Sequence, residues 1–234
     1  MATLYVVGTP IGNLEDLTLR AINVLANVDF ILAEDTRVTR TLLDRYNIPT
    51  EMIAYHQHSN QARIDHIVEL LRQGKHLALV SDAGTPGIND PGGMLVAKVL
   101  IELPETKVIP IPGANAALTA LSVSGFPADR FTYLGFPPHK KGRQTFFKSI
   151  SGIEHTVVFY ESKHRFAKML ADLRDVAKIG RRQIVIAREL TKQFETLYRG
   201  TIEEIVEKVP VKQILGEFVI VIGPHKKIHH GEKE

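Results

Sequence analysis

Hydrophobic and polar positions along the first half of this 234-residue chain repeat an order of strand, loop and helix. Short apolar runs predict strands at residues 4–8, 28–33, 52–55, 76–80 and 107–111. Apolar residues at helical spacing predict helices at residues 18–27, 36–46, 60–73, 91–102 and 114–122. Because strands alternate with helices, we expect an open, mainly parallel sheet of an α/β domain.

A segment rich in glycine and proline, residues 124–138, interrupts this order and predicts a domain boundary. Around and after it, strands are predicted at residues 131–134, 155–160, 183–188, 194–199 and 217–222. Helices are predicted at residues 140–150, 163–177 and 201–209. We therefore expect an N-terminal α/β domain over residues 1–122 and a smaller α/β domain with a mixed sheet over residues 123–224. Residues 225–234 are expected to form a flexible tail.

Three predicted strands of the first half run into loops rich in glycine and proline, at residues 8–14, 81–93 and 112–116. Ligands of parallel sheets bind outside the carboxyl ends of the strands, so three such loops predict one pocket. The first loop is a poor cradle for phosphate, because Pro10 lacks an N–H donor and no third glycine stands in register. The carboxylate of Asp82 in the second loop can accept a hydrogen bond from a ribose hydroxyl or from an amino group, which suits an adenosyl ligand. The alternative is that Asp82 only caps a turn.

The net charge is only +3, but it is distributed unevenly. Residues 1–120 hold nine basic and 13 acidic residues, which gives a net charge of −4. Residues 121–234 hold 20 basic and 13 acidic residues, which gives a net charge of +7. The second half is therefore the expected face for a polyanion, although basic residues also solvate ordinary helix surfaces. Its basic clusters are Lys140, Lys141 and Arg143; Lys163, His164, Arg165 and Lys168; and Lys226 and Lys227.

The chain has no cysteine, which excludes disulfides and thiolate metal sites and fits a reducing compartment. No apolar run approaches the roughly 18 residues that span a bilayer, and no secretory leader precedes the first strand. We therefore expect a cytoplasmic protein that has no membrane partner.

Six segments carry a more specific pattern: residues 8–14 (GTPIGNL), 33–37 (AEDTR), 81–92 (SDAGTPGINDPG), 110–116 (PIPGANA), 159–165 (FYESKHR) and 187–192 (ARELTK). In this order they resemble the motifs of the small-subunit ribosomal RNA ribose methyltransferases I. That family belongs to the tetrapyrrole-methylase-like superfamily of S-adenosylmethionine enzymes. The resemblance covers residues 4 to about 223, and Lys163 departs from it because the family usually has proline there.

The resemblance implies two α/β domains of the tetrapyrrole-methylase type, with the ligand cleft between them, and usually a homodimer. It implies transfer of a methyl group from S-adenosylmethionine to the 2′-hydroxyl of a cytidine in the decoding region of 16S ribosomal RNA, in the small ribosomal subunit. Carried over by position, the residues expected to contact the donor are Pro10, Asp82, Gly84, Thr85, Gly113, Ala114 and Leu190. Main-chain groups near Leu190 and Glu217 are expected to contribute.

Methyl transfer from a sulfonium depends mostly on alignment, but a base helps because a protonated ribose hydroxyl is a poor nucleophile. Glu161 and Glu189 are the candidate bases, since each ends a predicted strand beside a cation, Arg165 or Arg188. The catalytic candidates are thus Glu161, Glu189 and Arg165. The alternatives are a structural ion pair of Glu161 with Arg165, and a structural role for Glu189 with Arg188 and Lys192.

The expected RNA contacts are side chains that can donate to phosphate or to a 2′-hydroxyl: Asn13, Arg37, Lys140, Arg143, Arg188 and Lys192. The alternative for each of them is plain solvent exposure. Glu34 and Asp35 stand beside Arg37 and either grip the target nucleotide or, for Asp35, only cap the following helix.

His56 and His58 share one face of a predicted strand, but the sequence offers no third ligand nearby and the chemistry needs no metal, so we expect no metal site. Two other functions remain open. One is methylation of a tetrapyrrole such as a corrin precursor, which would use the same donor loops. The other is a noncatalytic RNA-binding role in ribosome assembly.

Overall fold

The computed structural model describes residues 2–57, 59–209 and 215–225, which form two compact units. The first unit runs to Asn115 and the second begins at Ala116. Helix α5, Ala116–Ser122, therefore belongs to the second unit, although the sequence predicts it in the first. Its N-terminal turn is tied there, because Ala117 N–H donates to the Tyr160 hydroxyl at 3.1 Å.

The first unit alternates strands and helices as its sequence predicts. Its elements are β1 Thr3–Val7, α1 Leu19–Asn27, β2 Phe30–Ala33, α2 Thr36–Arg45, β3 Met52–Ala54, α3 Gln61–Arg72, β4 His76–Leu79, α4 Gly92–Glu102 and β5 Lys107–Ile111. The sheet order is β3-β2-β4-β1-β5, and its four strand pairings are parallel. All five strands therefore end at the same edge of the sheet.

Both faces of this sheet are covered, which explains why its strands are apolar at successive positions. Ile31 of β2 packs in one apolar cluster with Leu25 of α1 and Leu43 of α2. The next residue, Leu32, packs in the opposite cluster with Leu71 of α3. Because neighbouring side chains of a strand point to opposite faces, helices cover the sheet on both sides and ligands are left with its edge.

The second unit contains a mixed sheet, as its sequence predicts. After α5 its elements are β6 Phe131–Tyr133, α6 Arg143–Ser151, β7 Thr156–Ser162, α7 Phe166–Ala171, β8 Ile184–Arg188, β9 Thr196–Gly200, α8 Ile202–Lys208 and β10 Glu217–Ile222. The sheet order is β6-β7-β10-β8-β9. Strand β6 is parallel to β7, whereas the other three pairings are antiparallel.

The helix predicted at residues 163–177 is divided into three parts. A 3₁₀ turn, Lys163–Arg165, leads into α7, and a π-helical turn, Asp172–Val176, follows it. In that last turn Ala177 N–H donates to the Asp172 carbonyl at 2.9 Å, the wide spacing of a π helix.

Of the tail predicted at residues 225–234, only His225 lies within the described residues, and its N–H donates to the Glu154 carbonyl at 2.9 Å. Residues 226–234, which include the cluster of Lys226 and Lys227, lie outside them. Among the described helices, none is long and apolar enough to cross a membrane. The cytoplasmic location and the cleft expected between the domains stay predictions.

Candidate functional site

The three glycine-rich loops of the first unit meet at the carboxyl edge of its sheet. Gly8 N–H donates to the carbonyl of Ile111 at 3.0 Å, which joins the first loop to the last residue of β5, directly before the third loop. Thr9 and Gly84 exchange two backbone hydrogen bonds, of 2.9 and 3.1 Å, which join the first loop to the second. The Thr85 hydroxyl donates to the Ala114 carbonyl at 3.3 Å, so the second loop is hydrogen-bonded to both of the others.

Two glycines allow the first and third loops to approach this closely. A Cβ atom on Gly113 would lie 2.7 Å from the Gly8 carbonyl oxygen, and one on Gly8 would lie 2.8 Å from Gly113 Cα. Such distances are shorter than van der Waals contact, so both positions exclude any side chain. Gly84 is required for a different reason, because its φ of +82° lies in the left-handed region.

Six of the seven residues expected to contact the donor lie at this edge. Asp82 and Gly113 are exposed, Thr85 and Ala114 are partly exposed, and Pro10 and Gly84 are buried. Leu190, the seventh, is a buried residue of the second unit. An exposed carboxylate beside bare backbone suits the ribose and amino groups of S-adenosylmethionine, so the residues present fit this donor.

The strand ends of β2 and β4 are linked through their acidic residues. Asp82 Oδ1 accepts the Asp35 N–H at 2.9 Å, and the Asp82 N–H donates to the Glu34 carboxylate. Partial burial and the negative charges of Asp82 and Asp90 raise the pKa of Glu34. The sequence shows Glu34 only as the end of a strand, because the neighbours that perturb it lie about 50 positions away.

Asp35 caps helix α2, which confirms one of the two alternatives for this residue. Its Oδ1 accepts the Arg37 N–H at 2.9 Å, and its Oδ2 pairs with Arg37 Nη2 at 2.6 Å. The Arg37 guanidinium lowers the pKa of Asp35 to about 2. The Arg37 side chain is 89% exposed and borders an open depression that is also lined by Arg40 and Glu51, so its RNA contact stays a prediction.

Glu161 is a residue of strand β7, and its carboxylate lies in a buried ion cluster. Its Oε2 accepts from both terminal nitrogens of Arg143 at 3.2 Å. Its Oε1 accepts the Ser162 N–H at 2.8 Å and lies 2.9 Å from Arg165 Nε. Arg143 Nε donates in turn to Asp172 Oδ2 at 2.7 Å. The Glu161 side chain has no exposed surface, so the cluster stabilises the fold and the alternative of a structural ion pair holds.

Three predictions are corrected by this cluster. Arg143 is 3% exposed and its guanidinium also lies 4.9 Å above the Phe147 ring, so it faces the interior and not RNA. Glu161 cannot reach a substrate, because both of its oxygens are held by cations and backbone. Arg165 donates to the Pro137 carbonyl at 3.0 Å, so this cation positions the segment before α6 and does not assist a base.

Glu189 lies in a loop whose backbone is strained. Its φ is +51° and that of Thr191 is +65°, values that residues with side chains seldom adopt. Glu189 Oε1 accepts the Glu217 N–H at 2.9 Å and the Lys192 ammonium at 3.2 Å. Burial opposes ionisation of Glu189, but these two donors outweigh it and lower its pKa. A carboxylate so stabilised is a weak base, which favours the structural alternative for Glu189.

The same loop is held to the start of strand β10. The Arg188 guanidinium donates to the Leu215 carbonyl at 2.6 Å, and Lys192 Nζ lies 2.9 Å from Glu217 Oε2. A Cβ atom on Gly216 would lie 2.6 Å from Glu189 Cγ, so this position requires glycine. These contacts fix the backbone of the loop around Leu190. They do not test the roles predicted for Arg188, Leu190 and Lys192.

Lys140 and Lys141 are exposed, as an RNA contact requires. Asn13 is also exposed, and its Oδ1 accepts the Glu15 N–H at 3.0 Å, which caps a 3₁₀ turn. His58 lies outside the described residues, so the strand face that it is predicted to share with His56 stays a prediction. In the part of the chain that the structure describes, no three His, Asp or Glu residues are grouped as metal ligands.

The chain is similar to curated proteins named ribosomal RNA small subunit methyltransferase I. The Vibrio cholerae protein is 48% identical over 226 residues, which cover 95% of this chain and 77% of that protein. The Halalkalibacterium halodurans protein is 45% identical, with 98% and 79% covered. The Thermotoga maritima protein is 42% identical, with 95% and 99% covered.

Solved structures share the fold at lower identity. A Thermus thermophilus uroporphyrin-III C-methyltransferase complexed with S-adenosylhomocysteine is 20% identical, with a TM-score of 0.65 over 94% of this chain and 97% of that one. A diphthine synthase is 13% identical, with a TM-score of 0.69 over 95% and 90%. The profile of the tetrapyrrole (corrin/porphyrin) methylases matches residues 3–206. The chain therefore belongs to the tetrapyrrole methylase family, in the branch of the ribosomal RNA small subunit methyltransferases I.

Proposed function

We propose that this protein transfers a methyl group from S-adenosylmethionine to the 2′-hydroxyl of a cytidine ribose in the decoding region of small-subunit ribosomal RNA. The observation that carries the proposal is the convergence of the three glycine-rich loops at one sheet edge, with Asp82 exposed among them. The relatives named as small-subunit ribosomal RNA methyltransferases supply the class of acceptor.

The loops of the first unit bind and orient the donor. The Asp82 carboxylate accepts a hydrogen bond from a ribose hydroxyl or an amino group of the donor. The exposed backbone at Gly113 lets the donor approach the main chain without a side chain in between. S-adenosylmethionine, when bound, supplies the methyl group on a sulfonium that is its own leaving group. The protein contributes alignment, which requires loops held as firmly as these are by their mutual hydrogen bonds.

Neither carboxylate that the sequence suggests as a base is well placed for that role. Glu161 is held by two arginines in the interior, and Glu189 is stabilised in its ionised form by Lys192 and the Glu217 N–H. Glu34 differs from both, because its carboxylate lies at the loop edge and its pKa is raised. Of these three carboxylates, Glu34 is therefore the one best suited to accept a proton from the ribose hydroxyl.

The second unit supplies the positive charge that RNA requires. Lys140 and Lys141 are exposed before α6, and Lys163, His164 and Lys168 are exposed around the start of α7. Cations of this kind neutralise phosphates and give an affinity that falls with salt. The net charge of +7 over residues 121–234 agrees with this assignment.

A homodimer forms part of the proposal. The outer surface of α4 carries an exposed apolar row, in which Met94 is 67% and Ile101 is 80% exposed. These two residues lie seven positions apart and therefore share one helix face. A second copy of the chain would remove this row from water, and light scattering of the wild type beside Ile101→Lys tests whether it does.

The test of the function uses purified small ribosomal subunits that lack the modification. They are incubated with the protein and S-adenosylmethionine carrying a labelled methyl group, and the RNA is digested to nucleosides for mass spectrometry. We expect the label in 2′-O-methylcytidine from the decoding region. Label on a base, label in an added porphyrinoid but not in RNA, or no transfer at all would each contradict the proposal.

A further inference from the structure

Phe136 is a large apolar side chain that the second unit leaves 50% exposed. It lies between β6 and α6, in a segment whose exposed residues also include His139, Lys140 and Lys141. A single exposed phenylalanine beside a run of cations differs from an apolar protein interface, which would group several such side chains. Neither the donor loops nor the buried ion cluster accounts for its exposure.

The ring of Phe136 stands on a rigid aromatic support. It contacts the Tyr160 ring at a centroid distance of 5.2 Å and an interplanar angle of 61°. The Tyr133 ring contacts the Tyr160 ring as well, at a centroid distance of 5.3 Å and an interplanar angle of 68°. The Tyr160 hydroxyl is fixed in turn, because it accepts the Ala117 N–H at 3.1 Å.

The backbone on both sides of Phe136 is fixed as well. Tyr160 N–H donates to the Gly135 carbonyl at 2.9 Å, before the phenylalanine. Arg165 Nη1 donates to the Pro137 carbonyl at 3.0 Å, after it, and Arg165 is anchored by buried Glu161. The exposed ring is therefore held in place and not free to fold back onto the surface, which lowers the entropic cost of binding a ligand on it.

We propose that Phe136 is a stacking platform for a nucleobase of single-stranded RNA, with Lys140 and Lys141 holding the adjoining phosphates. The inference deepens the proposed function. A ribose hydroxyl is reached only when its nucleotide is splayed from the RNA stack, and the base then loses its neighbours. An aromatic side chain replaces that lost stacking, and it does so for any base because every base has a flat π face.

The experiment compares three variants of the full chain. Phe136→Leu keeps an apolar side chain but removes the π face, whereas Phe136→Tyr keeps the ring. Phe194→Leu is the matched control, because Phe194 is an exposed phenylalanine of the same unit, 62% exposed on the loop before β9. Thermal unfolding of each variant verifies that the fold is retained.

The probe is a short single-stranded oligoribonucleotide in which one cytosine is replaced by a fluorescent analogue that is quenched by stacking. We expect quenching with the wild type, Phe136→Tyr and Phe194→Leu. We expect Phe136→Leu to lose the quenching and to bind the oligonucleotide about tenfold more weakly, which is within the range for one base stacked on one aromatic ring. Donor affinity, measured by calorimetry, should stay at the wild-type value.

The inference would be overturned by wild-type quenching in Phe136→Leu, by an equal loss of quenching in Phe194→Leu, or by the absence of quenching with the wild type. Loss of oligonucleotide binding without a change in quenching of the bound fraction would also count against stacking. Failure of the proposed function is distinguished separately, because it would appear as absence of methyl transfer by the wild type to small subunits. Methyl transfer at the wild-type rate by Phe136→Leu would leave the proposed function intact and remove only the platform.

Discussion

At Gly8 and Gly113 the backbones of two loops touch, and the proposed donor site depends on that contact. The approach leaves no space for a methyl group at either position. Beside this contact, Asp82 directs one carboxylate oxygen to the Asp35 N–H while the side chain as a whole stays exposed. Three single substitutions separate the steric, the hydrogen-bonding and the electrostatic part of this arrangement.

Gly113→Ala should separate the first and third loops. Its Cβ atom would lie 2.7 Å from the Gly8 carbonyl oxygen, so the backbone must move, at a cost of about 1 to 3 kcal/mol in the free energy of unfolding. Calorimetry should show weakened donor binding. Gly152→Ala, in the second unit and outside the three loops, is the control, because its φ is −86° and its Cβ atom would come no nearer than 3.8 Å to its surroundings. Equal donor affinity in the two variants would refute a steric role for Gly113.

Asp82→Asn should weaken donor binding by about tenfold to a hundredfold, since it removes a charged acceptor of hydrogen bonds but keeps the shape of the side chain. Glu105→Gln removes the same charge at an exposed position between α4 and β5, which is the opposite edge of the sheet. Titration calorimetry with S-adenosylmethionine compares the two. If Asp82→Asn bound the donor as tightly as Glu105→Gln, Asp82 would lie outside the site.

Glu34→Gln should raise the thermal midpoint at pH 7.5. Burial and the charges of Asp82 and Asp90 raise the pKa of Glu34 in the folded state, so ionised Glu34 costs stability once the pH exceeds that value. Below the unfolded-state pKa the carboxyl is protonated in both states and the cost is absent. The gain in midpoint should therefore shrink towards zero near pH 4, and a gain that is constant with pH would show that the charge of Glu34 is not its source.

At the scale of elements, the turn that leads into helix α6 carries two kinds of basic residue that have opposite roles. Lys140 and Lys141 face solvent, whereas Arg143, only two positions further on, is buried against Glu161 and Asp172. The turn at Gly142, whose φ is +87°, directs the chain into α6 between the two groups. Lys140 and Lys141 are exposed and therefore available to RNA, whereas Arg143 holds helix α6 to the sheet through its ion pair with Glu161.

The double variant Lys140→Ala with Lys141→Ala should weaken RNA binding and leave stability unchanged. If both lysines contact phosphates of single-stranded RNA, the slope of log affinity against log salt should fall in magnitude by about 1.4. Arg143→Ala should behave in the opposite way, with about 3 kcal/mol lost from the free energy of unfolding because Asp172 and Glu161 lose a buried partner. RNA binding measured over a salt series tests the lysine variant, and an unchanged slope would contradict its predicted role. Chemical denaturation tests Arg143→Ala, and a variant as stable as the wild type would contradict the structural role of Arg143.

The order of elements and the loop edge could be predicted from the sequence, because apolar runs and glycine-rich loops are local signals. The role of Arg143 could not, since a basic cluster does not show which of its members faces inward across a distant strand. The same holds for Glu34, whose neighbours Asp82 and Asp90 come from another strand end. The division of residues 163–177 into 3₁₀, α and π turns was also beyond the sequence, because its periodicity is helical throughout.

At the scale of the whole molecule, the chain divides its chemistry between its two units. The first unit concentrates glycine, proline and acidic residues at one sheet edge, and the second carries most of the basic residues and the exposed ring of Phe136. This division agrees with the proposal that the first unit binds the methyl donor and the second binds RNA. It also means that donor binding and RNA binding can be impaired separately, by Asp82→Asn and by the two lysine substitutions.

The central claim is that three separate loops form one donor site, and hydrogen exchange tests it most directly. Backbone amides are followed by mass spectrometry with and without saturating S-adenosylmethionine. We predict that exchange slows together in the three loops, residues 8–14, 81–93 and 112–116, with Asp82→Asn reducing all three effects. Protection confined to the depression beside Arg37, or no protection in these loops while the ligand binds, would contradict the account.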